Sequence, residues 1–141
     1  MLSGACLAGM AFANSPVAAV HALAYPIGAR FHVPHGVSNA LVLGPVMRFN
    51  LEVAARLYAQ LAEIVLPNVS GSEHERALAL ANYLGSLAGN LKLPTRLRDV
   101  GITEADIEAL AEDAIKQSRL LGNNPRTMSL DDVLAVYREV L

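Results

Sequence analysis

The amino-acid sequence predicts an all-α fold, a helical bundle, and three observations support that prediction. First, 53% of the 141 residues are hydrophobic, but only 5% are aromatic and none is tryptophan. The core must therefore consist of Ala, Leu, Val and Ile, which suits close-packed helices. Second, apolar residues recur at helical spacing behind several helix-start patterns. Third, no run of useful length alternates apolar with polar residues, so we predict no strand. The length predicts a single helical domain over residues 1–141.

In the first part of that domain, residues 1–49, the sequence predicts apolar helices. Asn14-Ser15-Pro16 indicates a helix stop followed by a restart, with Ser15 as the N-cap and Pro16 at the first helical position. Pro26 removes one ladder hydrogen bond and favours a kink or an end of the second helix. The predicted elements are a helix over 2–13, a second helix that ends near 26–28, a loop over 29–34 and a third helix over 35–49.

In the second part, residues 50–141, the sequence predicts amphipathic helices. One follows the third helix, with apolar residues at helical spacing from Ala54 to Val65. Three more begin with a hydroxyl residue followed three positions later by a carboxylate, which is the capping-box pattern. These pairs are Ser72 with Glu75, Thr103 with Asp106, and Ser129 with Asp132.

Charge is distributed unevenly, because Arg30 is the only Asp, Glu, Lys or Arg before Arg48. A signal peptide needs a basic start, which this chain lacks, and polar residues and prolines interrupt any membrane span. We therefore interpret the apolar start as helices buried inside a larger protein that extends on the N-terminal side. We expect no membrane partner, and the net charge of −2 predicts no nucleic-acid partner.

The single cysteine, Cys6, excludes an internal disulfide framework and fits a reducing, cytoplasmic location. We expect Cys6 to be an inert buried thiol.

Two histidines carry the chemistry that the residues alone suggest. His21 and His35 lie fourteen positions apart in a segment almost free of charge. If His21 lies late in one helix and His35 early in the next, both rings can converge on a metal ion, although two ligands cannot close a site. The alternative is a pair of satisfied core histidines, or one that caps a helix end. We expect His32 and His74 to be solvated.

Six segments of the chain form a recognisable series: Ala8–Asn14 (AGMAFAN), Val20–Ala24 (VHALA), Pro34–Ala40 (PHGVSNA), Leu93–Leu97 (LPTRL), Gly101–Glu104 (GITE) and Asn124–Arg126 (NPR). These segments resemble the metal-binding half of the iron-containing (group III) alcohol dehydrogenases. The resemblance covers nearly the whole chain, in the order of the family.

The resemblance implies the C-terminal helical domain of a two-domain dehydrogenase whose N-terminal nucleotide-binding domain is absent from this sequence. It implies Fe2+, or Zn2+ or another divalent metal, held by one aspartate and three histidines, of which the last two fall on His21 and His35. Phe12 matches a position that lines the substrate pocket. Tyr25 stands where many members of the family have a second histidine near the substrate, so a proton relay through that position is in doubt.

The implied function is NAD- or NADP-linked hydride transfer between a small alcohol and its aldehyde or ketone, in a homo-oligomer. We expect the isolated chain to be inactive, because it holds only half of the metal ligands and no recognisable cofactor site. The alternative is a non-catalytic helical module that associates with other subunits through its apolar N-terminal helices.

Overall fold

The computed structural model describes residues 2–141 and contains seven α-helices and one 3-10 helix, with no strand among those residues. The predicted all-α fold is confirmed. The helices are α1 (Leu2–Asn14), α2 (Ala19–Phe31), α3 (His35–Val65), α4 (Glu73–Asn90), α5 (Glu104–Ile115), α6 (Ser118–Leu121) and α7 (Leu130–Glu139), and the 3-10 helix is Leu97–Val100.

The main core forms where α2, the first half of α3, α5 and α7 meet. Leu23 and Ile27 of α2, Val42 of α3, Leu110 of α5 and Val133 of α7 are all fully buried there. Helix α2 lies at the centre of this core, because it packs against both α3 and α5. Burying such a side chain stabilises the fold by roughly 1.5–3 kcal/mol.

A second layer is the hairpin of α3 and α4. The two helices cross at Gly44 and Gly85, where a Cβ added to either glycine would lie 3.2 Å from the Cα of the other. Four alanines fill the rest of this interface together with Leu80, Met47 and Leu51. Small residues therefore let the two backbones approach closely, as the alanine-rich composition predicted.

Helix α2 differs from its prediction at both ends. It begins at Ala19 after a residue that makes no side-chain cap, so Ser15 is not its N-cap, and it continues through Pro26 to Phe31. Pro26 has no N–H to donate to the Ala22 carbonyl. In the same turn the buried hydroxyl of Tyr137 donates a 2.7 Å hydrogen bond to the neighbouring Leu23 carbonyl. The predicted helix end at 26–28 is therefore wrong.

Helix α3 is one continuous helix of 31 residues, although the sequence predicted an end near Phe49. Asn50 is buried in its middle, and its side-chain amide exchanges two hydrogen bonds, of 3.0 and 2.8 Å, with the amide of Asn124. Arg126 adds a 2.9 Å bond to the Phe49 carbonyl. The Asn124-Pro125-Arg126 segment is thus hydrogen-bonded to α3 at the point where the sequence predicted a helix end.

The three predicted capping pairs lie at the starts of α4, α5 and α7. The N–H of the carboxylate residue donates back to the capping hydroxyl at α4 and α7, whereas at α5 the Asp106 N–H donates to the Thr103 carbonyl. In each box the carboxylate accepts hydrogen bonds from the backbone N–H and the hydroxyl of the capping residue, at 2.7–2.8 Å. These local patterns could be predicted because both partners lie within four residues of each other.

Helix α1 has no buried residue. Cys6 lies on it and is exposed, so the expectation of a buried thiol is wrong. Among residues 2–141 no single helix is long and apolar enough to cross a membrane. Helices α1 and α2 reach that length and composition only together, and they meet at an angle of 101°.

Candidate active site

The two histidines that the sequence singled out lie side by side. The centroids of the His21 and His35 rings are 5.2 Å apart, with 56° between the ring planes. His35 is the first residue of α3, as predicted, but His21 lies in the first turn of α2 rather than late in it. The structure therefore brings the rings together by a different route from the one predicted.

That route is the short connection from α2 to α3, residues 32–34. His32 ends α2 in the left-handed conformation, with φ 55° and ψ 28°, and reverses the chain. The returning segment lies against Gly28, where a Cβ would be 3.3 Å from the Val33 carbonyl oxygen. The buried Ser38 hydroxyl donates to the Val33 and Pro34 carbonyls at 3.4 and 3.3 Å. The reversal carries His35 back alongside α2.

The surroundings favour a neutral ring at His21. Burial lowers the pKa of this half-buried imidazole, and the charge that His35 carries when protonated lowers it further. His35 is exposed, and its Nε2 lies 3.0 Å from the side-chain amide of Asn39, which orients the ring. Only an unprotonated imidazole nitrogen binds a metal, so this electrostatic environment suits a ligand pair.

The ring separation fits two ligands of one divalent metal. A nitrogen bound at ~2.1 Å places its ring centroid ~3.2 Å from the metal, so two rings at tetrahedral to octahedral angles lie roughly 4.6–5.3 Å apart. The 5.2 Å between His21 and His35 falls in this range. Within the described residues no third His, Cys, Asp or Glu joins them. The chain therefore brings two imidazoles to the separation that a shared metal ion would require.

Tyr25 completes an aromatic cluster with the two histidines. Its ring centroid lies 6.1 Å from that of His21, one turn earlier on α2, and 5.7 Å from that of His35. The ring is 42% exposed. Tyr25 thus borders the histidine pair, in the position where the resemblance placed a substrate-pocket residue.

The same tyrosine lines a cleft of about 490 Å³, and Phe12 of α1 lines it too. The two residues expected at a substrate pocket therefore share one cavity. The wall is largely apolar, and its polar groups come from Tyr25 and from the segment around α6. The other lining residues are Ala13, Pro16, Val17, Gln117, Arg119, Leu120 and Asn123.

Sequence reasoning missed the α6 side of this cleft. Asn123 donates a 3.0 Å hydrogen bond to the Val17 carbonyl, which ties this segment to the chain between α1 and α2. Gln117 and Arg119 lie about a hundred positions from Phe12, and no short motif marks them. His32 and His74 are exposed and lie outside the cluster, as expected.

Comparison with known proteins identifies the family. The whole chain, residues 1–141, matches the Fe-containing alcohol dehydrogenase family, C-terminal. The chain belongs to this family, and its fold is the C-terminal helical domain of these two-domain proteins.

Among curated relatives, the lactaldehyde reductase of Escherichia coli strain K12 is 37% identical over 97% of this chain and 36% of its own length. The 1,3-propanediol dehydrogenase of Klebsiella pneumoniae is 36% identical over 99% of this chain and 36% of its own length. The chain thus spans about a third of the length of these enzymes.

Solved structures agree with this assignment. An alcohol dehydrogenase from Oenococcus oeni superposes on this chain with a TM-score of 0.89 and 31% sequence identity. The superposition covers 96% of this chain and 35% of that enzyme. A 1,3-propanediol oxidoreductase superposes with a TM-score of 0.84 and 34% sequence identity. That superposition covers 96% of this chain and 35% of the oxidoreductase. These relatives are oxidoreductases, and the comparisons give no support to the alternative of a non-catalytic module.

Proposed function

We propose that this chain supplies two metal ligands and one wall of the substrate cleft to an iron-type alcohol dehydrogenase. The enzyme would transfer hydride between a small alcohol, or its aldehyde or ketone, and NAD or NADP. The observation that carries the proposal is the 5.2 Å approach of the His21 and His35 rings beside a cleft that Phe12 and Tyr25 line. The family match supports it.

His21 and His35 would hold Fe2+, or Zn2+ or another divalent metal, through one ring nitrogen each. By the family resemblance, an aspartate and a further histidine outside this sequence complete the site. When bound, the metal acts as a Lewis acid that lowers the pKa of the alcohol. The contribution of this chain is to keep the His21 imidazole neutral and to hold the two rings at a fixed separation through the turn at residues 32–34.

The cleft residues bind and orient the substrate. Phe12, Pro16 and Leu120 provide apolar contacts and exclude water from the reacting carbon. The hydroxyl of Tyr25 can donate a hydrogen bond to a substrate oxygen. Tyr25 would thus position the substrate at the edge of the histidine pair.

The nucleotide-binding domain that the resemblance implies would close the other side of the cleft and bind the nicotinamide cofactor. This chain alone should bind metal weakly, because affinity rises with the number of preorganised ligands. We expect no turnover from the isolated chain.

The ligand assignment is tested on the enzyme in which this chain is joined to its nucleotide-binding domain. His21→Ala and His35→Ala should each lower the iron or zinc content and reduce NAD(P)-linked alcohol oxidation by at least ~100-fold. His74→Ala is the matched control, since His74 is exposed and distant in sequence from the pair. Unaltered metal content in His35→Ala would overturn the assignment.

The role of Tyr25 is tested by Tyr25→Phe and Tyr25→His in the same enzyme. Loss of one substrate hydrogen bond should lower kcat/KM about fivefold in Tyr25→Phe, without loss of metal. In Tyr25→His the rate should gain a dependence on pH near 6.5 that the parent enzyme lacks. Identical pH profiles in all three enzymes would argue against a substrate contact at this position.

A further inference from the structure

The cleft beside the histidine pair has a positive charge on its wall. Arg119 lines the cleft, and the described residues that line it include no aspartate or glutamate. The arginine side chain is a permanent cation. The cleft volume of about 490 Å³ lies within the range of small-molecule sites, which is roughly 300–1,000 Å³. The charge of Arg119 therefore bears on which small molecules the cleft accepts.

Arg119 has no acidic partner in the part of the chain that the structure describes. Six ion pairs join charged side chains within residues 2–141, and Arg119 belongs to none of them. Asp113, near the end of α5, is already paired with Arg30 at 2.6 Å and with Lys116 at 3.0 Å. The guanidinium of Arg119 is thus available to a ligand.

The fold fixes the position of Arg119 on the cleft wall. The two leucines that follow it, Leu120 and Leu121, pack against the main core. Asn123 then donates a 3.0 Å hydrogen bond to the Val17 carbonyl on the other side of the cleft mouth. Arg119 itself is exposed. The segment that carries the charge is therefore anchored on both sides, while the charge faces the cleft.

A carboxylate matches this wall better than a phosphate does. A guanidinium binds the two oxygens of a carboxylate through two parallel N–H bonds. The side-chain amide of Gln117, on the same wall, can donate one more hydrogen bond. A phosphate carries up to two negative charges, and the described lining offers only the one cation to balance them.

The position of the charge relative to the histidines limits the length of the substrate. Neither His21 nor His35 lines the cleft, whereas Tyr25 belongs both to the cleft and to the histidine cluster. A carboxylate bound at Arg119 and a carbinol group bound at the histidine pair would lie on either side of Tyr25. In a 2-hydroxy acid the two groups are on adjacent carbons, which is too close for both contacts.

We propose that Arg119 is a specificity-determining residue that selects alcohols with a carboxylate at the end remote from the reacting carbon, that is, ω-hydroxy acids and the corresponding aldehyde acids. This inference rests on the function proposed above. The carbinol group loses a proton and a hydride, the hydride reduces NAD+ or NADP+, and the carboxylate on Arg119 stays chemically unchanged. Its binding energy raises kcat/KM for such substrates.

Substrate selectivity tests the role of Arg119 in the enzyme in which this chain is joined to its nucleotide-binding domain. The readout is the ratio of kcat/KM for 6-hydroxyhexanoate to kcat/KM for hexan-1-ol, because general effects on folding or metal content cancel in it. The parent enzyme should prefer the hydroxy acid. Arg119→Ala should lower the ratio at least ~10-fold, since a charged hydrogen bond is lost. Arg119→Lys keeps the charge without the planar donor pair and should give an intermediate ratio.

Arg56→Ala is the matched control. Arg56 is exposed on the second half of α3 and does not line the cleft, so its removal should leave the ratio as in the parent. Arg119→Glu reverses the charge and should favour 6-aminohexan-1-ol over 6-hydroxyhexanoate.

The inference is overturned if the parent prefers hexan-1-ol, 2-hydroxyhexanoate or 6-hydroxyhexyl phosphate to 6-hydroxyhexanoate. A ratio in Arg119→Ala equal to that of the parent would overturn it as well. Oxidation of hexan-1-ol without a preference for the hydroxy acid contradicts the role of Arg119 alone. Absence of turnover with all of these alcohols would contradict the proposed function together with it.

Discussion

Helices α1 and α2 are adjacent, have the same length of 13 residues and contain almost no charge, yet only one of them packs within this chain. α2 buries six residues in the core, whereas α1 buries none, although α1 is the more apolar of the two. The difference shows that apolar composition predicts a helix but not its partner. α2 is buried because its apolar side chains meet those of α3, α5 and α7.

The largest expected change in stability distinguishes the two helices when one leucine in each is truncated to alanine. Leu23 in α2 is fully buried and Leu7 in α1 is 66% exposed. Leu23→Ala should lower the free energy of unfolding by about 2–5 kcal/mol, since it leaves a cavity in the core. Leu7→Ala should change it by no more than about 0.5 kcal/mol. Urea denaturation of the two variants measures both values, and equal losses would show that α1 is packed after all.

A smaller loss of stability is expected when the hydroxyl of Tyr137, which bonds α2 near Pro26, is removed. Burial raises the pKa of Tyr137, and the charge of Asp113 acts in the same direction, so the phenol is a neutral donor at all ordinary pH values. Tyr137→Phe leaves the buried Leu23 carbonyl without this donor and should cost about 1–3 kcal/mol.

Hydrogen exchange locates that loss. Amides in α2 beyond Pro26 should exchange faster in Tyr137→Phe than in the parent, because the weakened turn opens more often. Amides in α1 should be unaffected and serve as the internal reference. A loss of stability with unchanged exchange in α2 would show that the hydroxyl does not support this helix.

These two helices also show how far the sequence predicts the fold. The starts of α4, α5 and α7 were predicted because each depends on partners three residues apart. Where the sequence predicted the end of α2, Tyr137 bonds the Leu23 carbonyl from 114 residues away. Where it predicted the end of α3, Asn124 bonds Asn50 from 74 residues away. Local sequence patterns do not reveal such distant partners, and both predicted helix ends were wrong.

The candidate site was predictable to a similar extent. The spacing of His21 and His35 suggested a pair, but the pattern placed His21 late in α2, because the start at Ala19 and the continuation to Phe31 were not predicted. Gln117 and Arg119 were missed since they reach the cleft only through folding. Whether the pair holds a metal remains a prediction that the histidine variants test.

The smallest loss of stability is expected from removing a helix cap, which α2 lacks at its start and α7 has. Ser129→Ala removes the cap of α7 and should cost about 1 kcal/mol. Hydrogen bonds from the hydroxyl and the backbone N–H of Ser129 lower the pKa of Asp132 below its usual 3.8. The folded state therefore binds this proton less tightly than the unfolded state. The stabilisation is present above the unfolded-state pKa and is lost as the pH falls through the lower folded-state pKa.

Asp132→Asn tests this pH dependence, with Asp131→Asn as the neighbouring exposed control. The difference in unfolding free energy between the parent and Asp132→Asn should be largest near neutral pH and should shrink as the pH falls below about 4. Asp131→Asn should show no comparable trend, because the hydrogen bonds from Ser129 go to Asp132. A difference that stays constant down to pH 2 would mean that the carboxylate of Asp132 does not stabilise α7 through its charge. Compared with the loss expected for Leu23→Ala, even the full capping effect is small, because burial in the core rather than capping holds α2 in place.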